Sequence, residues 1–210
     1  MTQSKSESGF MLERLVFFSD AVFAIAITLL VLDLRLPGDG RGVFDLTPMI
    51  PKLIGFGVSF WVIGLYWLSH HRLFGALQAE DSAVRVVNLM FLAGIVFLPF
   101  PTSVIAEYST TGDSVRFYAL CLAGAGLLLT ALILVARRPS LLRPGQTRGQ
   151  TLRLALSAAA APLVFLATAA TAGAHPGLAM RCWLLVIPAR MGASWLGGLL
   201  QRKVDGAAAA

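Results

Sequence analysis

Six separate stretches of this chain are long and apolar enough to cross a lipid bilayer, and that feature limits the fold more than any other. A hydrocarbon core takes about 20 apolar residues per helix. The stretches run from about Glu13 to Leu36, Lys52 to His70, Val84 to Ala106, Ser114 to Ala136, Leu152 to Ala172 and Leu178 to Leu200. Only 13% of residues are charged and 57% are hydrophobic, against roughly 25% charged in soluble domains. In lipid every backbone polar group must be satisfied within the segment, so stretches of this length are read as helices. The expected fold is an all-α integral membrane protein with six transmembrane helices per chain. It divides into an N-terminal segment (1–12), a six-helix domain (13–200) and a tail (201–210) expected to be disordered.

The first apolar run is longer than a signal-peptide core and is followed by acidic residues, so it reads as a retained helix. Cys121 and Cys182 lie inside apolar runs without a C-x-x-C pair, which fits buried small side chains. With the N-terminus inside, the inner segments hold eleven Lys and Arg and the outer ones five, leaving Arg190 within helix six. Positive residues favour the cytoplasmic side, so both termini are expected in the cytoplasm of a multi-pass cell-membrane protein. The net charge of +6 is then a topology signal. The arginine cluster between helices four and five lacks interleaved aromatics, which argues against a nucleic-acid partner. That loop is instead placed to meet anionic lipid heads.

Ionisable side chains inside membrane helices are costly and usually face a partner. Under this topology Arg14, Ser19, Asp20, His70, His71, Arg72, Arg85 and Asn88 share one leaflet, contributed by helices one, two and three. Asp20 there has Arg14, a histidine ring or the Asn88 amide as available partners. The simplest use is a clamp fixing helix one against helices two and three. Titration of a histidine in that clamp is the alternative use. Catalytic readings are weak: no H-E-x-x-H or G-x-S-x-G occurs, and His175 is expected on the opposite face. No enzyme activity, metal site or cofactor is expected.

Beyond Asp20, helix one reads "AVFAIAITLLVLDL". Ile25, Leu29 and Leu32 fall on one stripe at steps of three and four, with Thr28 the single hydroxyl among them. Packing against a neighbour or lipid is the ordinary explanation of such a stripe. If several copies met on an axis, they would form apolar rings of the kind that gate by dewetting. The Thr28 hydroxyl, or a backbone carbonyl freed nearby, would then be within reach of a partly dehydrated cation. Asp33 at the outer end would concentrate cations. Pro99 and Pro101 interrupt helix three, a feature shared with transporters that use broken helices. Arg190 is expected to snorkel to a headgroup or to pair across subunits.

The segment "RLVFFSDAVFAIAITLLVLDL" resembles the signature of the TMEM175 family of potassium channels, met here by Arg14, Phe18, Ser19 and Asp20. "YWLSHHRLF" and "NLMFLAGIVFLPFPTSVIAEY" look like the same family, so the resemblance covers about the first half of the chain. Eukaryotic members carry two six-helix units, and the single unit here is similar to the prokaryotic branch. The resemblance implies a homotetramer in the lipid bilayer, permeable to potassium and other monovalent cations, without the "TVGYG" filter. It implies that helix one lines the pore, with the constriction at Ile25, further apolar layers at Leu29 and Leu32, and potassium preference at Thr28. Arg14, Phe18, Ser19 and Asp20, with His70, His71 and Asn88, would hold the helices together. The alternatives are a secondary transporter or a proton-leak channel, and more remotely a membrane enzyme.

Overall fold

The computed structural model describes residues 2–34, 46–108 and 111–207. It contains six helical segments long and apolar enough to span a membrane: 9–32, 50–75, 82–107, 112–136, 149–171 and 176–202. The described residues form helices and turns, apart from one isolated antiparallel bridge between Leu77 and Leu142.

Helix α1 (Thr2–Leu29) ends in a tighter turn over Leu30–Asp33. The hydrophilic N-terminal residues are thus continuous with the first membrane segment. α2 (Ile50–Gly75) carries Pro51 in its first turn, where the missing N–H costs nothing. The third segment is bent at Leu98 into α3 (Ser82–Phe97) and α4 (Pro99–Glu107). Proline at 99 and 101 removes helical donors. The Ile95 carbonyl, which loses its helical donor to Pro99, accepts instead from the Leu98 amide at 3.2 Å, and the Leu98 carbonyl accepts from the Thr102 amide at 3.1 Å and its hydroxyl at 2.7 Å. α5 (Gly112–Val135) and α6 (Arg148–Thr171) follow. The sixth segment is also broken, into α7 (Pro176–Cys182), a turn at Trp183–Leu185 and α8 (Val186–Ala207). Residues 201–207 are helical where the sequence suggests a disordered tail, and 208–210 lie outside the described residues.

Side-chain caps start three of these helices. Asp81 accepts from the Val84 amide at 3.0 Å, Thr111 from Ser114 at 3.3 Å, and Thr147 forms a reciprocal capping box with Gln150. Each cap satisfies donors that the helix itself leaves open.

Half of the apolar window of α5 is buried within the subunit, against 22% for the first segment. α5 is therefore the hub, packed on α3, α4 and α6. Gly126 makes the α5–α6 approach possible: a Cβ there would lie 2.9 Å from both Pro162 Cδ and the Tyr66 hydroxyl. Small residues at such crossings let helices gain close packing that apolar transfer alone does not supply in lipid.

The α2–α3 and α5–α6 connections lock together at one end of the bundle. Gln78 donates its amide to Leu141 (2.8 Å), and Arg143 donates its amide to Ala76 (2.9 Å) and its Nε to Leu77 (2.8 Å). Arg138 pairs with Asp81 at 2.5 Å. Arg138 and Arg143, expected from sequence to meet lipid heads, are thus committed to holding two connections together.

Candidate functional site: the anchored face and the open face of α1

α1 lies mainly on α3 and more lightly on α2. The side chains it buries are Leu12, Ser19, Phe23, Ala26 and Leu30. From Ser19 onward their spacing of four, three and four residues is one helical face. Ser19 is fully buried and sits in a relay across three helices. The His70 ring Nε2 meets the Asn88 Oδ1 at 2.9 Å, the Asn88 Nδ2 donates to the Ser19 Oγ at 3.0 Å, and the Ser19 hydroxyl donates to the Leu15 carbonyl at 2.8 Å. A carboxamide oxygen only accepts, so Nε2 of His70 carries the proton in this arrangement. His70 is stacked on Phe74, with ring centroids 4.3 Å apart, and flanked by Phe91 and Phe23 at 5.8 and 5.6 Å. Aromatic packing and a filled hydrogen-bond chain together fix the imidazole.

Asp20 does not enter that relay. Its Oδ1 accepts from the Trp67 indole Nε1 at 2.9 Å. None of the partners suggested by the sequence, Arg14, a histidine or Asn88, holds it within the subunit. Trp67 also packs against His71, with ring centroids 5.4 Å apart and the planes tilted by 32°. His70 and His71 divide: His70 turns into the core and the exposed His71 packs against the indole. Arg14 is exposed and lies over the Phe10 ring at 5.8 Å. Phe18 is exposed as well. The structure joins these helices by two separate anchors, Ser19–Asn88–His70 and Asp20–Trp67.

The opposite face of α1 is left uncovered by the chain's other helices. Ile25 and Leu32 are 58% and 61% exposed, and Leu29 is 37% exposed. Thr28 is exposed too, and its hydroxyl donates to the Ile25 carbonyl at 2.8 Å. That carbonyl is occupied rather than freed for a ligand. The threonine oxygen keeps its acceptor lone pairs. Side chain 33 lies outside the described residues, as do Arg35 and Arg41. Among the described residues, no group of three His, Cys, Asp or Glu side chains is placed to hold a metal ion.

Sequence reading did not anticipate the Trp67 anchor, although one turn separates Trp67 from His71 in the quoted "YWLSHH". It also left unplaced a buried hydroxyl cluster towards the other end of the bundle. There the Ser59 hydroxyl lies 2.7 Å from both the Thr102 hydroxyl and the Tyr118 hydroxyl.

The chain is similar to known proteins in sequence and in fold. A family model described as "Endosomal/lysosomal potassium channel TMEM175" matches residues 14–99. A potassium channel of Streptomyces collinus is 42% identical over 106 residues, 49% of this chain and 50% of that protein. A potassium channel of Chamaesiphon minutus is 40% identical over 109 residues, 50% and 52% of the two chains. The match thus spans about half the length of these relatives. Among solved structures, a lysosomal potassium-selective channel TMEM175 homolog from Chamaesiphon minutus superposes with a TM-score of 0.76 at 27% identity. That superposition covers 87% of this chain and 98% of the other.

Proposed function

We propose that this chain, which belongs to the TMEM175 family over residues 14–99, is one of four identical subunits of a potassium-permeable channel. In this reading the four α1 helices surround a central pore. The single observation that carries it is the division of α1 into an anchored face and an open face. Ser19 and Asp20 are held by α2 and α3, while Ile25, Leu29 and Leu32 are presented to something outside the subunit.

Four copies of that stripe on a symmetry axis stack into apolar rings, with Ile25 the narrowest. A ring of aliphatic side chains raises the cost of hydrating the pore and gates by dewetting. Thr28, next to Ile25, offers a hydroxyl oxygen to an ion that has shed part of its water. Its donated bond to the Ile25 carbonyl sets the direction of the remaining lone pairs. The anchors below fix the rotation of α1, so that the same side chains face the axis in every subunit. Potassium is the permeant ion and no resident cofactor is required.

The exposed Arg14 and Phe18 lie on the same helix, where a neighbouring subunit in such an assembly would pack. The protein resides in the cell membrane with both termini in the cytoplasm, as the distribution of Lys and Arg favours. At the interruption the Ile95 carbonyl opened by Pro99 is filled by the Leu98 amide, so it offers no freed backbone oxygen there to a transporter's ligand.

Flux in proteoliposomes tests the reading. Potassium efflux should exceed sodium efflux, and Ile25→Asn should raise conductance or loosen selectivity. Saturable uptake coupled to a counter-ion, or unchanged flux in Ile25→Asn, would remove the proposal.

A further inference from the structure

Arg190 is the charged residue of the bundle for which the channel reading has no use. It sits well inside the sixth segment, yet it is only 9% exposed. Its Nη2 donates to the Ser69 hydroxyl at 2.7 Å, and Ser69 passes its own proton to the Leu65 carbonyl at 3.0 Å. Its Nη1 is buried and has no hydrogen-bond partner. The four ion pairs among the described residues, Lys52–Glu107, Arg85–Glu80, Arg116–Asp113 and Arg138–Asp81, do not include it. A guanidinium keeps its charge under all ordinary conditions. A buried charge with neither counter-ion nor full hydrogen bonding is expensive. The missing partner is therefore an anion from outside the chain.

The place for it is a groove of about 480 Å³ between α2, α6 and α8, which Arg190 borders. Arg72 and Arg153 stand along the same groove, and neither forms an ion pair among the described residues. It continues towards the locked connections into a polar recess of about 360 Å³, which again includes Arg72 and Arg153 together with Ser157 and Ser194. Arg153 is held by its Nε donating to the Ser194 hydroxyl at 3.2 Å. No aspartate or glutamate lines either space. The side away from the recess is apolar and flanked by Trp61 and Trp195, which are 57% and 67% exposed. Arg72 lies in the last turn of α2 and Arg153 in the second turn of α6, so the arginine end of the groove is at the ends of membrane helices, where headgroups sit.

We propose that this groove binds the phosphate group of an anionic phospholipid. Arg72 and Arg153 meet the phosphate from the groove, Arg190 adds its uncompensated charge from the buried wall, and the acyl chains leave between Trp61 and Trp195. The same cations would accept a free phosphate ion. The apolar flank favours the lipid, because a soluble ion would leave that flank unused. The proposal does not depend on the channel reading, since none of these side chains lies on α1.

Tryptophan quenching by bromine-labelled lipid tests it on the full-length protein in nanodiscs. Brominated phosphatidylglycerol, titrated into a phosphatidylcholine background, should quench at about fivefold lower mole fraction than brominated phosphatidylcholine. Arg190→Gln should bring the two lipids to parity. Arg153→Gln, at an exposed position, should reduce the preference and keeps the test valid if Arg190→Gln fails to fold. Inorganic phosphate should leave the quenching in place. Equal quenching by the two lipids in the wild-type protein would overturn the proposal, as would a preference unchanged by Arg153→Gln. Displacement of the brominated lipid by inorganic phosphate would overturn the lipid assignment in favour of a soluble anion.

Discussion

The Asn88 carboxamide donates to the Ser19 hydroxyl at 3.0 Å, joining α3 to α1 across a fully buried contact. Because Asn88 also accepts from His70, one side chain serves both ends of the relay. Asn88→Leu removes both bonds and leaves the imidazole N–H without a partner. An orphaned buried donor costs about 1–3 kcal/mol. The variant should unfold earlier in detergent by about that amount, as followed by helix circular dichroism in denaturant. A double-mutant cycle with Ser19→Ala should show coupling, because both changes break the same bond.

Trp67→Phe keeps the aromatic packing against His71 but deletes the indole N–H that Asp20 accepts. The carboxylate is only partly buried, and interhelical bonds in membranes are often worth less than 1 kcal/mol. Charge assistance raises the expected loss to about 1–2 kcal/mol. Trp67→Phe should therefore destabilise less than Asn88→Leu. Equal loss in the two variants would mean that the Asp20 anchor is as deeply committed as the relay.

Gly126→Ala places a methyl group 2.9 Å from Pro162 and from the Tyr66 hydroxyl. Tyr66 is held by its own bond to the Leu122 carbonyl at 2.7 Å, so it cannot swing aside freely. Overpacking of this kind costs about 1–3 kcal/mol. Thermal unfolding of the purified variant should fall accordingly. A neutral result would show that α5 and α6 slide past each other at little cost.

The sequence made the six segments legible because length and apolarity alone decide membrane crossing. It also made legible that Ser19, Asp20, His70 and Asn88 tie the first three helices together, which needs no knowledge of side-chain direction. Helix rotation was not legible. Lipid is as apolar as the core, so a membrane helix carries little amphipathic signal to say which of two adjacent residues turns inward. His70 and His71 are the case in point, and Asp20 found Trp67 for the same reason. The break in the sixth segment, with Arg190 turned into the bundle, was hidden too. A charge in an apolar run signals cost without saying who shares it.

Thr28 is exposed and its hydroxyl serves only the Ile25 carbonyl one turn earlier. Thr28→Ala should change stability by no more than about 0.5 kcal/mol, as surface substitutions do. In the channel reading it should nevertheless shift the reversal potential towards equal potassium and sodium permeability. Planar-bilayer recordings under asymmetric potassium and sodium check this. An unchanged reversal potential removes Thr28 from the selectivity argument.

The proposed meeting of four α1 faces on one axis is tested most directly by a cysteine at Ile25. With Cys121 and Cys182 replaced by alanine, Ile25→Cys in proteoliposomes is treated with a mild oxidant while potassium flux is followed. The account predicts disulfide-linked dimers on a non-reducing gel and a flux that falls on oxidation and returns on reduction. Monomers only, with flux indifferent to oxidant and the thiol reactive solely towards lipid-soluble reagents, would place Ile25 against acyl chains and contradict the account.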